Sequence, residues 1–211
     1  MSRETAFPSQ KVIPFVNFMT HRRIGIAGYM GAGKSTVARL LAHHAGAVIN
    51  ADREAKSLMQ ESPRIKNRLV EAFGARVVER REIRFDLLGQ AAFASEATLL
   101  RLNMIVHPPL VKILEKRISE SHNRLVILDA ALLPLWHLES LFDVCLWVHA
   151  PFQTRLRRIL AGRPDLNTAI TKGRMRLQER MLPEPTKASS WIDIDNSKNI
   201  LHLAAELAIF R

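Results

Sequence analysis

A short loop near the start of the chain carries residues whose types and spacing suit phosphate binding. Residues 28–35 read Gly-Tyr-Met-Gly-Ala-Gly-Lys-Ser and match the pattern G-x-x-x-x-G-K-[ST] at every fixed position. Glycines let backbone N–H groups turn inward around phosphate oxygens, and a following helix adds its positive N-terminal end. We expect Lys34 to reach the β- and γ-phosphates of ATP and the Ser35 hydroxyl to ligate Mg²⁺. The nucleotide-binding set predicted here is Gly28, Tyr29, Met30, Gly31, Ala32, Gly33, Lys34, Ser35 and Thr36.

Two aspartates follow apolar segments further along the chain. Asp52 comes shortly after the apolar residues 47–49, and Asp129 comes directly after residues 125–128. Because ligands of doubly wound sheets bind at the carboxyl ends of the strands, both carboxylates are expected near the phosphate loop. We predict that Asp52 accepts the proton of an acceptor hydroxyl during phosphoryl transfer, and its alternative role is to cap the next helix. Asp129 is predicted to help hold Mg²⁺ as a Walker B carboxylate does, with a structural role left open.

A third set of candidates lies in the polar, arginine-rich segment between residues 155 and 185. Its positive charge predicts a lid that closes over the bound nucleotide and excludes water. Arg158 and Arg163 are predicted to clamp phosphates, because a guanidinium can contact them with two parallel hydrogen bonds. We assign Arg158 to phosphoryl transfer, together with Asp52 and Lys34, and Arg163 to ATP binding. Arg155 is a further lid candidate in a stretch where several arginines are expected to form only a solvated helix face.

The pattern of apolar residues predicts the elements that position these groups. Continuous apolar runs predict strands buried on both faces, and segments of helical periodicity lie between them. Their alternation predicts an α/β fold, a P-loop NTPase-type parallel sheet flanked by helices. The predicted strands are residues 24–27, 47–49, 125–128, 145–148 and 191–194. The predicted helices are residues 35–44, 54–60, 63–73, 85–93, 98–106, 109–119, 154–161 and 201–209.

The organisation of the chain follows from the same pattern. Residues 1–22 are predicted to be an N-terminal extension, and residues 23–211 a single domain. The segment 53–123 is too long for one crossover and has hardly any strand signal, so we predict an inserted helical sub-domain. Within it, Pro108 and Pro109 predict that one helix ends at residue 106 or 107 and that another begins at Pro109.

The composition favours a soluble protein with anionic partners. The 211 residues include 31 Lys and Arg against 20 Asp and Glu, a formal charge of +11. Such an excess suits nucleic acid, an anionic membrane or phosphorylated metabolites, and it does not choose among them. The single cysteine, Cys145, cannot form an internal disulfide, which fits a reducing cytoplasm. We find no signal peptide or membrane-spanning stretch, so we expect a cytoplasmic protein without membrane contact.

Several classes of phosphate-loop protein can be weighed against each other. A GTPase requires the motif N-K-x-D, which the sequence lacks. It also requires D-x-x-G after a strand, but the match to this motif, residues 86–89, lies in a stretch of helical periodicity. A small-molecule kinase is favoured, and the nucleoside-monophosphate kinase class is one alternative. A less favoured alternative is an ATP-dependent nucleic-acid-binding protein, supported only by the basic residues 21–23 and 174–176. Because no nucleic-acid motif or aromatic stacking platform is present, we expect small-molecule partners and no nucleic acid.

Eight motifs occur in a fixed order along the chain. They are residues 24–36 (IGIAGYMGAGKST), 48–56 (VINADREAK), 72–74 (AFG), 102–108 (LNMIVHP), 127–133 (ILDAALL), 141–143 (LFD), 150–151 (AP) and 194–197 (IDNS). This ordered set resembles dephospho-coenzyme A kinase. The resemblance implies transfer of the γ-phosphoryl group of ATP to the ribose 3′-hydroxyl of dephospho-coenzyme A, the last step of coenzyme A synthesis. It implies that Asp52 is the base, that the helical insertion binds the acceptor, and that Asn196 lies near the adenine of ATP. His107 is implied to contact an acceptor phosphate, with a structural role at a helix end as the alternative.

The chain departs from the family pattern at four places. Asn50 stands where a second aspartate is usual, Phe85 where an arginine is usual, and Lys198 where a glycine is usual. The usual P-L-L-F-E is here Ala-Leu-Leu-Pro-Leu, residues 131–135, so its carboxylate is absent. The sequence leaves open whether Asn50, Phe85 and Leu135 alter the acceptor. It also leaves open the role of residues 1–22, feedback regulation, and whether the protein is a monomer or a small homo-oligomer.

Overall fold

Residues 22–42, 46–185 and 190–210 are described by the structure, a computed structural model. The predicted N-terminal extension, residues 1–22, lies outside these ranges except for Arg22, which begins the first strand. The first predicted helix, residues 35–44, extends to Ala42 in the structure, and its last two residues also lie outside the described ranges.

Five parallel strands form the central sheet, and the predicted α/β fold is confirmed. The strands are β1 (Arg22–Ala27), β2 (Gly46–Asn50), β5 (Leu125–Asp129), β6 (Val144–His149) and β7 (Trp191–Asp195). Their order is β2-β5-β1-β6-β7, and every pairing is parallel. Because β1 is central, the loop that follows it meets the residues that follow β2, β5, β6 and β7 at one edge of the sheet.

Helices cover both faces of the sheet, because successive strand residues point to opposite sides. The covering elements are α1 (Lys34–Ala42), α5 (Glu96–Ser119), α9 (Ile200–Glu206) and a 3-10 turn (Leu207–Phe210). On one face, Ile24 and Ile26 pack with α1, α9 and the 3-10 turn. On the other face, Leu128 and Trp147 pack with α5. Burial on both sides explains why the strands are continuously apolar.

Between β2 and β5 the chain forms a helical unit around an apolar cluster of its own. Its elements are α2 (Ala51–Glu61), α3 (Pro63–Phe73), β3 (Val78–Glu79), β4 (Glu82–Ile83), α4 (Phe85–Ala92) and α5. Ser62 caps α3 by accepting from the N–H of Ile65, and Pro63 takes the first helical position. The short antiparallel ribbon β3–β4 was not predicted, and it turns through Arg80 and Arg81, both with positive φ.

One continuous helix, α5, replaces the two helices predicted on either side of Pro108 and Pro109. That prediction was wrong, although a proline inside a helix costs about 3 kcal/mol and removes a backbone N–H. The carbonyl that loses its donor to Pro108 belongs to Met104, and both residues are exposed, so solvent can satisfy it. The opposite side of α5 is buried in two apolar clusters, where each fully buried aliphatic side chain contributes about 1.5–3 kcal/mol. This tertiary burial outweighs the two prolines.

Three further α-helices lie in the described ranges. Helix α6 (Leu133–Trp136) is a single turn after β5, α7 (Phe152–Gly162) follows β6, and α8 (Thr168–Met181) precedes β7. Helices α7 and α8 contain most of the residues predicted as the lid. Arg180 of α8 pairs with Glu96 of α5 at 2.6 Å, which joins this segment to the helical unit. None of the helices in the described ranges is both long enough and apolar enough to span a membrane.

Candidate active site

The phosphate loop connects the carboxyl end of β1 to Lys34, the first residue of α1. Two of its glycines are required by the close approach of neighbouring chain segments. Gly28 has a φ of 143°, and a Cβ there would lie 2.2 Å from the carbonyl oxygen of Val148. Gly33 has a φ of 99°, and a Cβ there would lie 2.1 Å from Nδ2 of Asn196. The glycines therefore serve the packing of the loop as well as its backbone conformation.

Lys34 brings a positive charge close to both predicted carboxylates. Its Nζ donates to the carbonyl of Tyr29 in the same loop at 3.4 Å. Burial lowers the pKa of Lys34, and the nearby carboxylates of Asp129 and Asp52 act in the opposite direction. The three predicted charged groups thus share one electrostatic environment beside the loop.

Asp129, Ser35 and Asn50 form a hydrogen-bonded group that joins β5, α1 and β2. Ser35 Oγ donates to Asp129 Oδ2 at 2.6 Å, and Asn50 Nδ2 donates to the same oxygen at 3.1 Å. Asp129 is only 4% exposed. A hydroxyl and a carboxylate in contact beside a phosphate loop fit Mg²⁺, which protein sites usually bind through one or two carboxylates plus substrate phosphates. Among the described residues, no group of three or more His, Cys, Asp and Glu side chains could hold a metal ion by itself.

The capping role considered for Asp52 belongs to Asn50 instead. Asn50 Oδ1 accepts from the backbone N–H of Arg53 at 2.9 Å and caps α2. Asp52 lies in the first turn of α2 and is exposed. It lines a cavity whose wall also includes Lys34. The capping alternative is therefore wrong, and the carboxylate of Asp52 borders the space next to the phosphate loop.

This cavity has a volume of about 410 Å³ and extends from the phosphate loop to the helical unit. Its wall is mainly apolar and is formed by side chains of α2, α5, α6 and α8, such as Met59, Val106 and Met181. A few polar side chains interrupt this wall, including Asn103 and His107 of α5. An apolar cavity with a few polar groups is typical of small-molecule sites.

His107 lies inside the continuous helix α5, not at a helix end. Its ring meets the ring of Trp136 edge-to-face, with centroids 5.4 Å apart. Burial lowers the pKa of His107 to about 4, so the imidazole is uncharged near neutral pH. A neutral His107 gives no electrostatic support to the implied contact with an acceptor phosphate.

A smaller cavity, about 170 Å³, lies beside Gly33 and Thr36. Asn196, which is 6% exposed, donates from Nδ2 to the carbonyl of Ala32 at 2.7 Å. Arg158 donates to the carbonyls of Ala32 and Asn196, at 3.4 and 2.8 Å. Helix α7, the end of β7 and the phosphate loop thus meet at this cavity, and Arg158 and Asn196 both line it.

The structure does not bring Arg163 to the phosphate loop. Arg163 is the C-cap residue directly after α7 and is exposed, and its guanidinium pairs with Asp165 at 3.3 Å. Its assignment to ATP binding stays a prediction.

Helices α7 and α8 hold the tip of the phosphate loop through contacts that sequence reasoning missed. The N–H of Met30 donates to Gln178 Oε1 at 2.7 Å, and its carbonyl accepts from Arg155 Nη1 at 3.3 Å. Arg155 is 3% exposed, donates to the carbonyl of Ala150 at 3.0 Å and pairs with Glu179. A buried arginine on an arginine-rich helix has no distinguishing signal in the sequence. Gln178 has none either, since a glutamine in such a helix is typical of a solvated face.

The side chain of Tyr29 also takes part in packing. Its hydroxyl donates to the carbonyl of Leu182 at 3.1 Å, and its ring meets Trp147 edge-to-face at 5.2 Å. Tyr29 is 8% exposed, so only its backbone remains as a candidate for nucleotide contact.

A phosphate loop after the central strand of a parallel sheet, with Asp52 and Asp129 at the same sheet edge, defines the chain as a P-loop kinase. A family model described as dephospho-CoA kinase matches residues 22–202. The chain is 33% identical over 189 residues to the dephospho-CoA kinase of Thermobifida fusca (strain YX). The aligned region covers 88% of this chain and 92% of that protein. The chain therefore belongs to the dephospho-CoA kinase family and is an ATP-dependent kinase, so the resemblance found in the sequence is confirmed.

Solved structures share the fold of this chain. A crystal structure of a Thermus thermophilus protein matches with a TM-score of 0.65 and 27% identity, over 90% of this chain and 97% of that one. The dephospho-CoA kinase from Campylobacter jejuni matches with a TM-score of 0.54 and 20% identity, over 90% of this chain and 95% of that one. At that identity the second likeness shows the fold alone.

Proposed function

We propose that this chain transfers the γ-phosphoryl group of ATP to the ribose 3′-hydroxyl of dephospho-coenzyme A. The observation that carries the proposal is the cavity of about 410 Å³. Lys34 of the phosphate loop and Asp52 both line this cavity, which reaches into the helical unit. Phosphoryl transfer depends on holding the donor phosphate and the acceptor hydroxyl in line within a space that excludes water. Family membership supports dephospho-coenzyme A as the acceptor.

The nucleotide is assigned to the phosphate loop and the smaller cavity. Residues 28–36 surround the phosphates, and the ammonium of Lys34 pairs with the β- and γ-phosphate oxygens. Asn196 and Thr36 border the smaller cavity, which we assign to the nucleoside end of ATP. Arg158 borders the same cavity, and its role in phosphoryl transfer stays a prediction. Arg163 would reach the phosphates only after a movement of the lid, because it is exposed beside Asp165.

Ser35 and Asp129 are assigned to Mg²⁺ because their oxygens already meet at 2.6 Å. Mg²⁺ held by these two residues would neutralise negative charge that develops on the phosphates during transfer. Asn50 supports this assignment, since it donates to the same carboxylate oxygen and fixes the orientation of Asp129.

Asp52 acts as the general base in this proposal. It accepts the proton of the 3′-hydroxyl while the oxygen forms a bond to the γ-phosphorus. The bond from that phosphorus to the β–γ bridging oxygen breaks, and ADP leaves with the electron pair. A well-placed base of this kind contributes about 10²–10⁴-fold to the rate.

The parts of the chain are assigned as the sequence predicted. Residues 23–211 are one kinase domain, in which residues 53–123 bind the acceptor and residues 155–185 form the lid. Gln178 and Met181 of α8 line the acceptor cavity, which supports a lid role for this helix. We further propose that the protein acts in the cytoplasm on small molecules alone, as a monomer or small homo-oligomer.

The proposal is tested by an ADP-release assay with purified protein, ATP, Mg²⁺ and a panel of acceptors. The panel contains dephospho-coenzyme A, nucleoside monophosphates, shikimate, gluconate and single-stranded RNA. We expect turnover with dephospho-coenzyme A alone. Turnover with another acceptor and none with dephospho-coenzyme A would refute the assignment of the acceptor.

Two variants test the roles within the site. Lys34→Ala should abolish turnover and leave the fold intact, because the phosphate loop loses its side-chain cation. Asp52→Asn should lower kcat by about 10²–10⁴-fold, with Glu54→Gln in the same helix as the matched control. Glu54 pairs with Arg117 at 3.1 Å, away from the acceptor cavity. If Asp52→Asn and Glu54→Gln gave the same kcat, Asp52 would not be the base.

A further inference from the structure

One part of the acceptor cavity carries three polar side chains that have no hydrogen-bond partner among the residues that the structure describes. Asn103 and His107 lie one turn apart on α5, and Trp136 ends α6. All three line the cavity that contains Asp52. Within the described ranges, neither Asn103 nor His107 makes a side-chain hydrogen bond, and Trp136 Nε1 is buried without a partner. We call these three residues the neutral wall.

The unpaired indole N–H of Trp136 is energetically unfavourable in the free protein. A buried donor without an acceptor costs about 1–3 kcal/mol, and most buried polar groups in proteins are paired. The edge-to-face contact with His107, at 5.4 Å, restricts the orientation of the indole ring. Because Nε1 has almost no accessible surface in the free protein, an acceptor atom in the cavity reaches it only if the indole turns when the ligand binds. A ligand that induces this turn would remove the cost of the unpaired N–H.

The neutral wall does not suit a phosphate. His107 is uncharged near neutral pH, because burial lowers its pKa to about 4. Among the described residues that line the cavity, Lys34 and Asp52 are the charged ones, and both belong to the reacting centre beside the phosphate loop. Phosphate groups in proteins are usually bound by arginine, lysine or helix N-termini. An amide, an imidazole and an indole N–H instead match the hydrogen-bonding edge of an uncharged, planar group.

We propose that Asn103, His107 and Trp136 recognise an uncharged, planar hydrogen-bonding group of the acceptor and thereby set acceptor specificity. In dephospho-coenzyme A this group is the nucleobase or an amide of the pantetheine arm. The diphosphate of the acceptor lies outside the neutral wall. This inference rests on the proposed function, since it takes the cavity beside Asp52 as the acceptor site.

The central test is the variant Trp136→Phe, which keeps an aromatic ring beside His107 and removes the N–H. Calorimetric titration without ATP gives the Kd for dephospho-coenzyme A in the full-length protein. Loss of one hydrogen bond to an uncharged group should raise this Kd about two- to tenfold, with the KM for ATP unchanged. Asn103→Ala, a smaller change on a different helix, should raise the Kd in the same range. Trp191→Phe is the matched control, because Trp191 lies in β7 and does not line the cavity.

Two further measurements identify the group that is bound. The Trp136→Phe effect on Kd should be the same at about 0.05 M and 0.5 M NaCl, because salt screens contacts between charges and not contacts to an uncharged group. Competition by 4′-phosphopantetheine then separates the two sources. Weaker competition in Trp136→Phe identifies an amide of the arm, and unchanged competition identifies the nucleobase; both results support the neutral wall.

Different outcomes overturn the inference and the proposed function. A wild-type protein that does not bind or phosphorylate dephospho-coenzyme A overturns the proposed function, and the inference falls with it. Normal turnover combined with an unchanged Kd in both Trp136→Phe and Asn103→Ala overturns only the inference. A Trp136→Phe effect that disappears at high salt also overturns it, because the indole would then act on a charged group.

Discussion

Replacing the buried Arg155 tests whether the lid helices hold the phosphate loop in place. The guanidinium donates to the carbonyls of Ala150 and Met30, pairs with Glu179 and stacks on the ring of Tyr29 at 5.0 Å. In Arg155→Met an unbranched side chain of lower polarity fills part of the same space. The variant therefore removes the charge and all three hydrogen bonds with a limited loss of packing.

The expected loss of stability follows from the burial of the two partners. Removing one member of a fully buried ion pair costs about 3–5 kcal/mol, because the other charge is left unpaired. Arg155 is 3% exposed, but the side chain of Glu179 is 32% exposed, so its carboxylate recovers part of its hydration. Two carbonyl acceptors also lose a donor, at about 0.5–1.5 kcal/mol each, and the apolar methionine offsets part of this loss. We expect Arg155→Met to lower the free energy of unfolding by about 2–4 kcal/mol.

Urea denaturation followed by tryptophan fluorescence measures this change, in a cycle with Glu179→Gln and the double variant. The coupling free energy between the two positions should be about 1–3 kcal/mol, as for residues in direct contact. Arg157→Met on the exposed side of α7 is the control, with an expected change within about 0.5 kcal/mol. The KM for ATP should also rise in Arg155→Met, because the carbonyl of Met30 loses its donor. A loss below about 1 kcal/mol, or a coupling near zero, would refute the argument.

Three other predictions concern single sites. Gly33→Ala should weaken ATP binding about tenfold or more in a fluorescent-nucleotide titration. The φ of 99° at this position strains an alanine, and the added Cβ would lie 2.1 Å from Nδ2 of Asn196. Unchanged affinity would contradict this prediction. The free energy of unfolding should fall by up to about 3 kcal/mol as the pH falls from about 6.5 to 4, because His107 binds a proton in the unfolded chain and not in the folded one. Urea titrations at several pH values measure this dependence of the free energy of unfolding on pH, and His107→Gln should weaken it. Burial raises the pKa of the Cys145 thiol to about 12, so a disulfide reagent at pH 8 should label it only after denaturation, and rapid labelling of the native protein would show that the thiol is accessible.

Much of the candidate site could be predicted because its signals are local in sequence. The phosphate loop is one continuous motif, and its position between a strand and a helix was visible from adjacent residues. The five strands were found because burial on both faces makes each one a continuous apolar run. Asp129 could be placed near Ser35 because both follow strands whose carboxyl ends meet at one sheet edge, and the structure joins them at 2.6 Å.

Other features were missed because several local signals allow more than one outcome. Asn50 and Asp52 both suit a helix N-terminus, and a shift of two residues decides which one caps α2. Pro108 and Pro109 are strong signals for a helix end, but their effect is outweighed by burial of the opposite side of α5. The sequence could not show that outcome, because the partners of α5 lie in elements distant along the chain.

The sequence by itself determined the class of chemistry, since a phosphate loop and its fold follow from neighbouring residues and their periodicity. The tertiary structure alone decided which charged and polar groups act together. Arg155 and Met30 are 125 residues apart, and Asn196 and Ala32 are 164 apart, yet each pair shares a hydrogen bond. A buried arginine and an exposed arginine cannot be distinguished in a sequence, because only tertiary packing determines which side chain is buried. For the same physical reason, the neutral wall became visible only once α5 and α6 were placed side by side.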